Sequence, residues 1–131
     1  MTGENRKANA LDETRAGNDC LAEADYLHAG GFFNAAVSRA YYAALHWARA
    51  LLVLKGLEPK THRGVIQLLH LHYVEHGTMD AAAAAELGQL ETYRELSDYN
   101  AGVSLDDSRA TQEIARARAF IDACRPFMPA P

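Results

Sequence analysis

The sequence has little of what marks several classes of protein. Its 131 residues include only two cysteines, Cys20 and Cys124, near opposite ends and without a Cys-x-x-Cys pair, which is typical of reduced thiols. The most apolar stretch is interrupted by His46, Arg49 and Lys55, well short of the roughly 20 residues that a membrane helix needs. No N-terminal run has the pattern of a signal peptide. We therefore expect a cytoplasmic protein without membrane contact.

The sequence also lacks the common signatures of enzymes and of strongly basic nucleic-acid binders. It contains no phosphate-binding glycine loop, nucleophile elbow or Rossmann fingerprint. The formal net charge is −4, so no global positive field indicates nucleic acid, although a local patch of arginines can still bind it. Charge alone neither supports nor excludes an RNA substrate.

What the sequence does contain is helical periodicity. Apolar residues recur at three- and four-residue steps throughout residues 34–54, which predicts one long helix with an apolar face. Glycine, proline and capping signals separate this helix from four others. We predict the first helix at residues 11–29, the third after Thr61 and the fourth from Asp80 to about Tyr99. The fifth follows a capping box at Ser104. With no convincing strand, we predict an all-α antiparallel bundle of about five helices over residues 11–126. We expect the second and fourth helices to form its central pair, residues 1–10 to be disordered, and residues 127–131 to be a tail.

Two patterns point to chemistry. His72 and His76 have a helical spacing that can place two imidazoles on one ion, but the other ligands of a zinc or di-iron site are missing, so we expect no metal and no cofactor. Glu91, Arg94 and Asp98 share one face of the fourth helix. They form either an ordinary surface ion-pair ladder or a guanidinium that is held in place to bind phosphate.

Three blocks of sequence together resemble a known family. They are SRAYYA, with Ser38 and Tyr42; Lys60-x-His62; and Arg-x-x-x-Asp-Tyr, which ends at Tyr99. In this order and spacing they resemble the HEPN domain superfamily, in particular its small stand-alone prokaryotic members, over about residues 22–123. The resemblance implies a dimeric bundle of about five helices, often encoded beside a minimal nucleotidyltransferase as a toxin and antitoxin pair. Many relatives are metal-independent RNases.

The catalytic signature of those RNases is an arginine followed, after four to six residues, by a histidine. Arg94 matches the arginine, whereas the histidine position holds Tyr99, Asn100 or Ala101, depending on the spacing. Neither a phenol nor an amide transfers protons near neutral pH as imidazole does. His62 or His46 would then have to replace the missing base. The same spacing also occurs by chance elsewhere in the chain, so we rely on the position of the block.

Three functions therefore compete at this level. The chain is an RNase toxin with a replaced histidine, a non-catalytic module that binds RNA or a nucleotide in the same pocket, or a structural subunit that binds a nucleotidyltransferase partner. The missing histidine argues against the first function, and the retained polar cluster argues against the third.

We expect a homodimer that buries part of the fourth and fifth helices. We also expect the candidate residues to converge on a polar cleft, with Arg94 partly buried and bonded to Asp98 or to a tyrosine hydroxyl. On the second helix these candidates are Ser38, Tyr42 and His46.

Overall fold

The computed structural model describes residues 2–129, which form a bundle of five α-helices without a strand in that range. The helices are α1 (Gly3–Ala29), α2 (Phe33–Leu54), α3 (His62–Leu69), α4 (Ala81–Tyr99) and α5 (Asp107–Cys124). A π-helical segment, His70–Glu75, extends α3, and a 3₁₀ turn, Arg125–Phe127, follows α5. The all-α prediction is confirmed. None of the helices within residues 2–129 combines the length and apolar character needed to cross a bilayer.

Helix α1 begins eight residues earlier than the sequence predicts. Thr2 caps it, because its hydroxyl accepts a hydrogen bond from the backbone N–H of Asn5 at 3.1 Å. Ala10 is fully buried against Ala50 and Val53 of α2. The prediction of disorder is therefore wrong for residues 3–10, where the cap and this contact stabilise a regular helix; Met1 lies outside the described residues.

Helix α2 is the central element of the bundle. It packs against α1, α3, α4 and α5, and most of its length is buried. Alanines recur on its buried faces, and their small side chains let the neighbouring helices approach closely; they are Ala36, Ala40, Ala43, Ala44 and Ala48. Helix α2 contacts α4, as predicted for the central pair, but the most extensive contact of α2 is with α1.

Local signals explain where the helices turn. Gly31 and Gly56 adopt φ values of 84° and 75° after α1 and α2, a left-handed conformation that glycine adopts without steric cost. Thr61 and Asp80 cap α3 and α4 as predicted. The cap of α5 is Asp106 rather than the predicted Ser104, because its carboxylate accepts the N–H of Arg109 at 2.8 Å.

The loop before α5 is fixed by a residue of α2. Asn34 accepts the backbone N–H of Leu105 at 2.8 Å and donates to the carbonyl of Val103 at 3.1 Å. Ser97 on α4 donates to the backbone carbonyl of Asn34 at 3.1 Å. These bonds connect the start of α2, the end of α4 and the following loop, and so define the position of the last turn of α4.

Candidate functional site

Arg94 lies on the buried side of α4, although a guanidinium in an amphipathic helix usually reaches solvent. Only 4 % of the residue is exposed. Its Nη2 atom lies 3.1 Å from Nδ1 of His62, and its Nη1 atom lies 3.5 Å from the hydroxyl of Tyr99. Arg94 is more deeply buried than the partial burial we expect from the sequence, and of the two expected partners, Asp98 and a tyrosine hydroxyl, the hydroxyl of Tyr99 is the nearer. Burial opposes its charge, but the Tyr99 hydroxyl and the other nearby phenols outweigh that effect and raise the pKa of Arg94.

His62 is the first residue of α3 and is positioned by the cap at Thr61. A guanidinium has only donor groups, so Nδ1 of His62 must accept the hydrogen bond from Arg94, and the proton of the neutral ring is on Nε2. Burial lowers the pKa of His62, and the charge of Arg94 lowers it further. His62 is therefore a neutral imidazole whose remaining polar atom is a donor.

Three tyrosines surround the guanidinium of Arg94. The Cζ atom lies 5.0 Å from the ring centroid of Tyr41, 5.9 Å from that of Tyr42 and 5.7 Å from that of Tyr99, all within the range of about 6 Å for cation–π attraction. The rings of Tyr41 and Tyr42 also contact His62. Tyr41 is fully buried, whereas Tyr99 is 79 % exposed. Tyr99 therefore forms the solvent side of the site.

The acidic neighbours of Arg94 do not saturate it. The nearest oxygens of Asp98 and Glu91 lie 3.7 Å and 4.0 Å from its nitrogens, longer than charge-assisted hydrogen bonds of about 2.7–2.9 Å. Its Nε atom is buried without a hydrogen-bond partner among the described residues. Because an unpaired buried donor is costly, this guanidinium has donor capacity that an anion would satisfy.

Not every predicted residue belongs to this cluster. Tyr42, His62, Asp98 and Tyr99 surround Arg94. Ser38 shares an adjacent groove with Asp98 and Arg39.

Two of the candidates make their contacts elsewhere. We expect His46 to join the residues around Arg94, but its side chain contacts α1 instead. Its Nδ1 atom lies 2.7 Å from a carboxylate oxygen of Glu13. Asn100 follows α4 and accepts the N–H of Gly102 at 3.1 Å, so its amide stabilises a turn.

The sequence analysis missed two residues of the site. The ring of Tyr41 lies in the core, as expected for an apolar position of α2, but it also faces the guanidinium of Arg94. Arg39 places its Cζ atom 5.3 Å from the ring centroid of Tyr42. Its position three residues before Tyr42 in the SRAYYA block was the available signal.

The described side chains around Arg94 include a histidine and two carboxylates, but they do not form a cluster that could coordinate a metal ion. No group of three or more His, Cys, Asp or Glu side chains within residues 2–129 is arranged to hold a metal ion. The groups at Arg94 are its guanidinium, the imidazole of His62, tyrosine phenols and the carboxylates of Asp98 and Glu91. Guanidinium, imidazole N–H and phenol groups are suited to binding a phosphate by hydrogen bonds and charge.

Comparison with known proteins agrees with this architecture. Residues 12–126 match the HEPN domain. A relative in Methanocaldococcus jannaschii, named "Putative toxin MJ0605", is 33 % identical over 102 residues, covering 78 % of this chain and 75 % of the relative. A second, "Putative toxin MJ0142", is 24 % identical over 108 residues, covering 82 % and 74 %. A "UPF0332 protein" of Thermotoga maritima is 28 % identical over 109 residues, covering 83 % of each chain. The chain therefore belongs to the HEPN domain family.

Proposed function

We propose that this chain is a toxin-type HEPN protein that binds RNA, with Arg94 as the phosphate-binding residue. Two relatives carry the word toxin in their names, which supports the toxin-type assignment. The observation that carries the RNA-binding proposal is the buried, incompletely paired guanidinium of Arg94. A phosphate oxygen pair matches its planar fork.

The surroundings of Arg94 suit a phosphodiester. The Nε2–H of His62 provides a second donor beside the guanidinium, and the hydroxyl of Tyr99 provides a third. Tyr99 is the last residue of α4 and is mostly exposed, so rotation of its side chain opens the path to Arg94. Its ring then offers an aromatic surface on which a base can stack.

RNA cleavage is a second candidate function, and the contact between His62 and Arg94 favours it. Attack of a ribose 2′-hydroxyl on its own phosphate needs a base, an acid and a positive group, but no metal. Arg94 supplies the charge, and the Nε2–H of neutral His62 donates a hydrogen bond to the phosphate. Proton transfer to the leaving oxygen would require the protonated ring of His62. The described groups at Arg94 that can accept a proton are the carboxylates of Asp98 and Glu91, and both lie beside the guanidinium as its ion-pair partners. Binding is therefore the function that the geometry supports best.

A binding and cleavage assay in the presence of EDTA tests these proposals. Labelled single-stranded RNA is titrated with the purified protein, with Arg94→Ala and with the control Arg15→Ala, whose exposed side chain pairs with Asp12. We expect binding by the wild type and the control but not by Arg94→Ala. If the wild type cleaves the RNA and His62→Gln does not, the function is that of an RNase. Failure of the wild type to bind RNA, together with co-purification of a nucleotidyltransferase, would leave the structural-subunit alternative.

The partners belong to the same proposal. We propose a homodimer in which two Arg94 sites face a common cleft, as the resemblance to other HEPN proteins implies. A nucleotidyltransferase encoded beside this chain would be its antitoxin. A pull-down of the native complex, with the neighbouring reading frame co-expressed, tests that pairing.

A further inference from the structure

A row of polar side chains continues from the Arg94 site in both directions along α2. Arg39, Tyr42, His46 and Arg49 follow one another at steps of three, four and three residues, which places them on one stripe of the helix. Tyr42 contacts Arg94. Arg39 is thus about one turn before Tyr42 and Arg49 about two turns after it. Their separation of ten residues corresponds to ~15 Å along the helix.

Arg39 lies beside the site and has no ion pair with a carboxylate among residues 2–129. Its Cζ atom is 5.3 Å from the ring centroid of Tyr42, whose ring also lies 5.9 Å from the Cζ atom of Arg94. Two guanidinium groups therefore contact one phenol ring. The only side-chain hydrogen bond of Arg39 within residues 2–129 goes to the thiol of Cys20 at 3.9 Å, and sulfur is a weak acceptor. The charge of Arg39 is free to act on a ligand.

Arg49 has a buried donor without an acceptor. Its Nε atom has no hydrogen-bond partner among residues 2–129. It lines a pocket of about 320 Å³ with Lys60, and the carboxylates of Glu13 and Glu58 line the same pocket. Glu13 is held by His46 at 2.7 Å.

Arg49 lies within electrostatic range of the Arg94 site. The charge of Arg49 contributes to the lowered pKa of His62, which places the two groups within electrostatic reach of each other. Lys60 lies two residues before His62 on the chain. Arg49 and Lys60 therefore add positive charge near His62, beyond that of Arg94.

We propose that Arg39 and Arg49 contact backbone phosphates on either side of the one held by Arg94, so that the ligand is a single strand of RNA along α2. This inference rests on the proposed function and adds the size of the ligand to it. A mononucleotide does not extend from Arg39 to Arg49, since these positions lie ~15 Å apart along α2 by the rise of the helix. A positively charged groove with aromatic side chains is also the usual means of binding single strands.

The salt dependence of RNA binding tests this proposal. A labelled oligoadenylate of eight nucleotides and AMP are titrated at several salt concentrations with the wild type, Arg39→Gln, Arg49→Gln and the control Arg15→Gln. The logarithm of the association constant falls as the logarithm of the salt concentration rises, and each phosphate contact that is removed makes this slope less steep by about 0.7 for a single strand. We expect this shallower slope, with several-fold weaker RNA binding, in Arg39→Gln and in Arg49→Gln but not in the control. The wild type is expected to bind the octamer more tightly than AMP.

A lysine variant and other RNA ligands show whether the phosphate contacts extend along α2. Arg39→Lys keeps the charge and is expected to retain the wild-type slope, which distinguishes a phosphate contact from a loss of folding. Wild-type slopes in both glutamine variants, or equal affinity for AMP and the octamer, would overturn the extended site. If Arg94→Ala still abolished binding in that case, the proposed function would stand. Tighter binding of an RNA duplex than of the single strand would also overturn the inference.

Discussion

Nη2 of Arg94 lies 3.1 Å from Nδ1 of His62, and this contact determines how the site responds to pH. The contact requires an unprotonated Nδ1, and both burial and the charge of Arg94 lower the pKa of His62 in the folded protein. The unfolded chain protonates this histidine near its ordinary pKa of about 6.5. Between that value and the lower folded-state pKa, the unfolded state binds more protons. The free energy of unfolding therefore decreases as the pH falls through this range.

Replacement of His62 tests this linkage. We expect His62→Gln to lose less stability than the wild type between pH 7.5 and pH 5.5, because the variant lacks the group whose protonation favours unfolding. Urea denaturation of both proteins at the two pH values measures the difference. An identical pH dependence in the two proteins would show that His62 is not held neutral by Arg94.

The same contact predicts how RNA affinity depends on pH. A phosphate bound at Arg94 brings negative charge to His62, which favours the protonated imidazole, so binding is coupled to proton uptake. Wild-type affinity is expected to increase as the pH falls from 7.5 to 5.5, and the affinity of His62→Gln is expected to change less. Fluorescence anisotropy with the labelled oligoadenylate of eight nucleotides measures the affinity. Equal pH dependence would place His62 away from the bound phosphate.

The packing of α1 on α2 gives a prediction about stability. A Cβ atom added at Gly17 would lie 2.7 Å from Cδ1 of Trp47 and 2.9 Å from the carbonyl oxygen of Ala43. Gly17→Ala is therefore expected to destabilise the protein by about 1–3 kcal/mol, the usual cost of overpacking. Gly88 on α4 is the matched control, since a Cβ there meets nothing within 4 Å. Gly88→Ala should stabilise the protein by about 0.5–1 kcal/mol. Equal effects in the two variants, measured by denaturant unfolding, would contradict the close approach of the helices.

The sequence was sufficient to predict the fold because periodicity and capping residues are local signals. Thr61 and Asp80 act through hydrogen bonds within three residues of themselves, and they cap the predicted helices. The start of α1 was missed for the opposite reason. Residues 3–10 lack an apolar stripe, and their helix depends on the cap at Thr2 and on the contact of Ala10 with α2. The second of these is a tertiary contact.

The candidate site was predictable only in part. The spacing of Arg94, Asp98 and Tyr99 on one helix is visible in the sequence, whereas the contact of Arg94 with His62 joins residues 32 positions apart. His46 shares a stripe with Tyr42, but the carboxylate of Glu13 on α1 determines its contact. Periodicity therefore identifies the residues that share a helix face, and the neighbouring helices decide which of them meet.

The oligomeric state is a separate prediction. We expect a homodimer that buries part of α4 and α5, and the side chain of Leu96 on α4 is 40 % exposed as an apolar candidate for that interface. Light scattering at micromolar concentration should give the mass of two chains, and Leu96→Glu should reduce that mass. A strict monomer for the wild type would contradict this prediction.

The affinity of Arg94→Ala for single-stranded RNA, measured beside that of Arg94→Lys, tests the central claim most directly. Lysine keeps the charge but lacks the planar fork, so we expect Arg94→Lys to bind at least about tenfold more weakly than the wild type, a loss of about 1.4 kcal/mol. Arg94→Ala is expected to show no measurable binding while it retains the far-ultraviolet circular dichroism and cooperative unfolding of a folded bundle. Wild-type affinity in a folded Arg94→Ala would contradict the account.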